Sequence, residues 1–221
     1  MQVRIITLFF LLASALPFNA VGGTGDVERE VKKLEQAYES FKDMQAGFKQ
    51  ETTSGAVAVV QHAAGRVFFK KKGKMLWKYE TPEEQLIFLD GKTLWFYLPA
   101  EKQAMKNNFS TVPQHIVGDL FRGRIDILAK FKACFAARGP QETTEQIMLE
   151  LAPIEPDPTL SKIVLWIDPT NYMVRRTVML DAFGNRTELI FQDIVVDQGL
   201  PDTLFVFTPP HGVDVFEPPQ L

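Results

Sequence analysis

Residues 68–97, FFKKKGKMLWKYETPEEQLIFLDGKTLWFY, constrain the fold more than any other part of the chain. Three apolar runs are separated there by two turn signals, and they carry two of the three tryptophans. In the first run Met75, Trp77 and Tyr79 share one side while Lys74, Leu76 and Lys78 share the other, the period of a strand with one buried face. Thr81-Pro82 breaks that run. Residues 85–89 make a second, and Asp90-Gly91 before Lys92 supplies the positive-φ positions of a tight hairpin before residues 93–97 return. The reading is a meander of antiparallel strands. A face of Met, Trp and Tyr either packs on a helix or lines a cavity for an apolar ligand, and packing is the default.

The meander needs something to lie on it. Upstream, Val27, Val31, Leu34, Tyr38 and Phe41 recur at spacings of four, three, four and three, with Asp26 as a candidate N-cap and acidic residues in the first turn. That is one amphipathic helix, which requires a sheet for stability. Before it, Arg4 and the apolar run 5–16 form a targeting leader too short to span a bilayer comfortably. Residues 1–23 are expected to be removed and residues 24–221 to form a single domain. Ala13-Ser14-Ala15 and Val21-Gly22-Gly23 both fit the small-x-small cleavage rule, whereas Phe18-Asn19-Ala20 places a bulky residue first. No cysteine stands directly after the leader's apolar run and no later run of 18 apolar residues occurs, so a soluble exported protein without a lipid anchor is expected.

The remaining elements follow from alternation and turn chemistry. Ala46, Phe48 and Gln50 begin an extended segment, Thr53-Ser54-Gly55 turns, and residues 57–61 and 65–70 read as two strands. Val67, Phe69 and Lys71 share a face, which puts a lysine at the rim of whatever the sheet encloses. Residues 103–107 are expected to pair back on the meander. Ser110 and Pro113 start a short helix bearing Ile116, Val117, Leu120 and Phe121, and Ile125, Leu128, Ala129 and Lys132 continue as a second. These helices either cover part of the sheet or lie across its opening. Strands return at 146–151, 162–168, 172–181, 186–196 and 204–207, separated by Pro, Gly, Asp and Asn turns.

A search for chemistry favours binding over catalysis. His62, His115 and His211 are isolated and read as surface or loop histidines, without metal-ligand spacing, a GxSxG serine or a glycine-rich phosphate loop. Asp90, Asp168 and Asp181 sit at hairpin turns, where backbone hydrogen bonding explains them. Cys134 is the single cysteine, so no internal disulfide forms, and it reads as a buried structural thiol. The balance of 24 basic and 27 acidic residues argues against a general nucleic-acid role. The KKKGK cluster at 70–74 reads as a solvated turn, with an anionic lipid or acidic partner as the functional alternative.

The order of motifs resembles the periplasmic outer-membrane lipoprotein carriers, the LolA family. The resemblance rests on Phe48-Lys49-Gln50, residues 65–69, Trp77 within 70–79, Pro82 with Gln85, the DGKTLWFY run at 90–97, Gln103, Asp181 with Gly184-Asn185 and Thr187, and the ending at 205–215. It implies a half-closed antiparallel β-barrel with an N-terminal helix, and short lid helices over an apolar cavity that receives lipoprotein acyl chains. It also implies a monomeric periplasmic carrier, needing no cofactor or metal, that takes lipoproteins from an inner-membrane ABC transporter to an outer-membrane receptor. On that basis Phe69, Met75, Trp77, Tyr79 and Ile87 are expected as cavity wall, and Ile116, Val117 and Leu120 as lid. This chain departs from the pattern at the mouth: Lys71 and Lys72 replace an arginine and a proline, and Leu76 stands where many members have arginine. The family arginine is expected to latch the lid, and a lysine at position 71 cannot reproduce its planar fork. The alternative is an exported module of the same fold that senses lipid or lipoprotein.

Overall fold

The computed structural model describes residues 24–57, 59–108, 126–139 and 145–217. Helix α1 (Thr24–Ser40) starts two residues before the expected cap, so Asp26 lies inside the first turn and pairs with Arg29 at 2.9 Å. Its apolar stripe is the expected one: Val27, Val31, Leu34 and Tyr38 are buried, as is Phe41 just beyond the helix. Each large apolar side chain so buried contributes roughly 1.5–3 kcal/mol, which offsets the marginal stability of a lone helix.

The strands form two meanders. The first comprises β1 (Asp43–Thr53), β2 (Val60–Lys70), β3 (Lys74–Thr81), β4 (Gln85–Asp90), β5 (Thr93–Leu98) and β6 (Gln103–Asn108). After a four-residue helix α2 (Ile127–Lys130) come β7 (Phe131–Phe135), β8 (Ile147–Pro153), β9 (Lys162–Ile167), β10 (Val174–Leu180) and β11 (Arg186–Val196). β11 returns to pair antiparallel with β1, and β12 (Asp214–Phe216) pairs parallel with β6. One twelve-stranded sheet results, in the order β12-β6-β5-β4-β3-β2-β1-β11-β10-β9-β8-β7, whose two end strands do not meet. The mainly β, unclosed and largely antiparallel architecture with an N-terminal helix is the one expected from the sequence.

Several local expectations are corrected. Residues 57–61 and 65–70 are not two strands, because one continuous strand, β2, pairs with β1 from Asp43↔Lys70 to Thr53↔Val60. The second central helix ends at Lys130; Phe131, Ala133 and Phe135 then alternate as the edge strand β7, pairing with β8. Cys134 therefore projects from the other side of that edge strand and is exposed. Residues 204–207 make no strand: a 3-10 turn (Asp202–Phe205) leads into a strap across the outer face of the first meander. There Phe207 packs on Phe88, Trp95 and Tyr97 at ring-centroid distances of 5.0, 5.3 and 4.9 Å. The expected lid residues Ile116, Val117 and Leu120, and His115, lie outside the described residues.

Register decides which side chains face inward. Phe48, Gly65 and Tyr79 lie in line across β1, β2 and β3, as do Ala46, Val67 and Trp77. Gly65 is required by close approach: a Cβ there would come within 2.0 Å of the Lys78 carbonyl oxygen. The inward side chains join the stripe of α1 in one buried cluster that includes Phe48, Val67, Trp77, Leu149, Leu165 and Phe191.

Candidate functional site

The two ends of this concave face differ. The base end holds the start of β1, the β2–β3 and β4–β5 turns and the exit of β11; the mouth end holds the tips after β1, β3 and β5. Helix α1 is fastened toward the base and along the β7 side. The Tyr38 hydroxyl accepts a hydrogen bond from the Val174 backbone N–H at 3.1 Å, the Tyr172 hydroxyl donates to Glu30 at 2.7 Å, and Glu35 accepts from the Ile127 N–H at 2.7 Å. Burial pushes Glu30 up, but hydrogen bonds from Tyr172 and Lys33 outweigh it and hold the carboxyl below its ordinary value. Burial pushes the Tyr38 phenol far up, so it stays neutral. Asp43, 3% exposed, accepts from the backbone N–H groups of Gln198, Gly199 and Leu200 at 2.8–3.1 Å, tying β1 to the chain leaving β11.

The basic cluster belongs to this base end, so Lys71, expected at the mouth as a latch, stands instead at the opposite end of the strands from the open tips. Lys70 and Lys74 pair with Asp202 at 2.7 and 2.8 Å and hold its carboxyl at about 2. The Lys71 ammonium donates to the Glu39 carbonyl at the last turn of α1, a favourable place for a cation. Lys72 and Gly73 both have φ of 73°, giving the β2–β3 hairpin two consecutive left-handed residues. Proline cannot adopt that conformation. The lysine that replaces the pattern's proline is thus compatible with a turn that proline would forbid.

Among the described residues, the concave side of β1–β5 is open at the mouth end, as a pocket of about 720 Å³. Cavities of this size, on the order of 300–1,000 Å³, are typical of ligand sites. Ile87, Phe96, Ala63 and Pro82 supply apolar wall, and Phe96 is 37% exposed. Gln50, Thr52, Gln61, Tyr79, Thr81 and Gln85 supply neutral polar groups, while His62 and Glu83 stand at the edge. The Tyr79 hydroxyl donates to Gln50 Oε1 at 3.0 Å, and Gln50 Nε2 donates to Thr52 Oγ1 at 3.2 Å. Burial pushes the Tyr79 phenol up, opposed in part by the neighbouring Trp77 indole.

The sequence-derived wall divides between closed core and open pocket. Tyr79 and Ile87 line the pocket. Trp77 and Phe69 lie in the closed core: Trp77 is 8% exposed, packed against Phe48 at 4.9 Å, Phe69 at 6.1 Å and Phe191 at 6.4 Å. Met75 is partly buried against the same cluster. The polar lining from Gln50, Thr52, Gln61 and Gln85 escaped the apolar search, although alternation from Phe48 already puts Gln50 and Thr52 on the inward face. His62 is 3.8 Å from Glu51, with its side chain 72% exposed. The Asp90 carboxylate accepts from the backbone N–H of Lys92 and Thr93, each at 2.8 Å, as a turn residue should. Among the described residues, no cluster of three or more His, Cys, Asp or Glu side chains forms a metal site, and no helix is long and apolar enough to cross a membrane.

Comparison with known proteins places this geometry. Residues 39–208 match the family "Outer membrane lipoprotein carrier protein LolA". The chain is 32% identical over 185 residues to an outer-membrane lipoprotein carrier protein of Nitrosomonas europaea, covering 84% of this chain and 87% of that one. It is 30% identical over 201 residues to the carrier protein of Chromohalobacter salexigens, covering 91% of each. A crystal structure of an uncharacterized conserved protein from Thermus thermophilus has a similar fold, with a TM-score of 0.56 at 14% identity over 86% of this chain and 98% of that one. This chain belongs to the outer membrane lipoprotein carrier protein LolA family.

Proposed function

We propose that this protein is a periplasmic lipoprotein carrier that shelters acyl chains on the mouth-end concave face. It receives lipoproteins from an inner-membrane ABC transporter and gives them up to an outer-membrane receptor. The observation that carries the reading is the open pocket between Tyr79, Ile87 and Phe96, on a sheet whose ends do not close. Phe96 and Met105 face each other across β5 and β6 and remain exposed, at 37% and 45%, so apolar surface continues beyond the pocket. Burying a methylene is worth about 0.8 kcal/mol, so ten carbons supply on the order of 8 kcal/mol without specific polar contacts. That suffices to keep a lipid in solution, and an open, partly polar site leaves a route for release. Wall residues in this reading are Tyr79 and Ile87, with Ile116, Val117 and Leu120 as lid.

The test is release. Mature protein is incubated with spheroplasts making a labelled lipoprotein, and the supernatant is examined for a soluble complex. The carrier reading predicts transfer of label into a complex with this chain. Retention of all label on membranes carrying an active transporter overturns it.

A further inference from the structure

The pocket contains more hydrogen-bonding capacity than an acyl chain requires. Gln50, Thr52, Tyr79, Gln61, Thr81 and Gln85 all line it, and none of these side chains is charged. Gln50 and Tyr79 lie at the inner end of this row, where both are only partly exposed. Gln50 uses one amide proton on Thr52 and its carbonyl on Tyr79, and an amide has a second proton and a second lone pair to offer. Beneath them the Trp77 indole N–H is buried and has no acceptor among the described residues. It neighbours the Tyr79 hydroxyl, whose own proton is already given to Gln50. An unpaired buried donor is costly, so a row of polar groups ending on one is an unfinished network. Hydrocarbon cannot complete it. A neutral group rich in carbonyl oxygens can, since each carbonyl accepts from an amide or hydroxyl donor without carrying a charge into an apolar wall.

We infer that the Gln50–Tyr79–Thr52 row binds the carbonyl-bearing root of the cargo lipid, the ester and amide groups that join acyl chains to the peptide. The chains then lie along Ile87 and Phe96. This inference rests on the carrier reading and adds a polar subsite to it: affinity comes from the chains, while placement comes from the root. Gln61, Thr81 and Gln85, nearer the rim, continue the row toward the peptide.

Two probes separate the subsite from the carrier reading: a synthetic diacylglyceryl-cysteine peptide, and the same peptide with ether-linked chains that lack the ester carbonyls. Binding of each is measured by fluorescence titration for the native mature protein, Gln50→Leu and Tyr79→Phe, with thermal unfolding confirming that the variants fold. The native protein should prefer the ester probe. Gln50→Leu should weaken ester binding about tenfold, the scale of one or two lost hydrogen bonds, and leave ether binding unchanged. Tyr79→Phe, which keeps the ring, should reproduce the loss in smaller measure. Equal affinities of the native protein for both probes, or equal losses on both in Gln50→Leu, overturn the polar subsite and leave the carrier reading standing. If the native protein binds neither probe, the carrier reading falls and the subsite with it. If Gln50→Leu does not fold, Tyr79→Phe decides on the same criterion.

Discussion

The base and mouth halves of the concave face are built from the same strands with the same alternation, yet one is core and the other is a pocket. Strand β3 crosses the boundary. Its Trp77 is sealed among Phe48, Phe69 and Phe191, while Tyr79, two residues on, reaches the pocket with its hydroxyl on Gln50. Helix α1 accounts for the difference, because its stripe fills the sheet's hollow toward the base and its fastenings to Val174, Tyr172 and Ile127 hold it there. A half-barrel therefore divides its interior by how far one helix reaches. Stability resides where the helix lies, and the pocket opens where it does not.

The largest effect that bears on this division is Trp77→Ala. Loss of a ring packed on three aromatic neighbours should cost about 3–5 kcal/mol in urea unfolding. Ile87→Ala in the pocket wall should cost less than about 2 kcal/mol yet weaken cargo retention. Equal stability losses would mean that the two halves are one continuous core. Next, Asp43→Ala leaves three backbone N–H groups at the base unpaired and should cost about 3 kcal/mol, with cargo affinity unchanged in the folded fraction. Gly65→Ala places a methyl against the Lys78 backbone of the neighbouring strand. It should cost roughly 1–3 kcal/mol, as overpacking does, and should perturb the neighbouring Tyr79.

The smallest effect concerns the strap. The carboxyl of Asp202 lies at about 2 because Lys70 and Lys74 hold it charged. A folded-state value below the unfolded one stabilises at pH above the unfolded value of about 3.9 and is lost as pH falls through the folded one. Hydrogen exchange in residues 202–207 should therefore be protected down to about pH 4 and lose protection toward pH 2. Asp202→Asn should show the weaker protection at every pH. Because Asp202 is exposed, global stability should barely move.

Much of this organisation was legible in the sequence. The spacing of Val27, Val31, Leu34 and Tyr38 marked the helix, and the period-2 run from Met75 with the Asp90-Gly91 turn marked the meander. Alternation also separated inward from outward faces correctly on β3. It could not say how much of an inward face a helix would cover, because that depends on contacts between residues far apart in the chain, such as Tyr38 with Val174. Trp77 and Tyr79 consequently looked alike. Edge strand β7 was hidden for a related reason: Ile125, Leu128, Ala129 and Lys132 stand at spacings compatible with a helix, which forms over Ile127–Lys130, and pairing with β8 overrides that pattern from Phe131 onward. The ending Phe205-Val206-Phe207 alternates like a strand, but its rings serve as anchors, with Phe205 fully buried and Phe207 on the outer aromatic face.

Site-specific photocrosslinking most directly tests where cargo lies. A benzoyl-phenylalanine is placed, one at a time, at Ile87 and Phe96 in the pocket and at Val206 on the exposed strap, and each variant is irradiated after release of a labelled lipoprotein from spheroplasts. The account predicts strong lipoprotein adducts from positions 87 and 96 and little from 206. Adducts from 206 equal to or exceeding those from the pocket would contradict it.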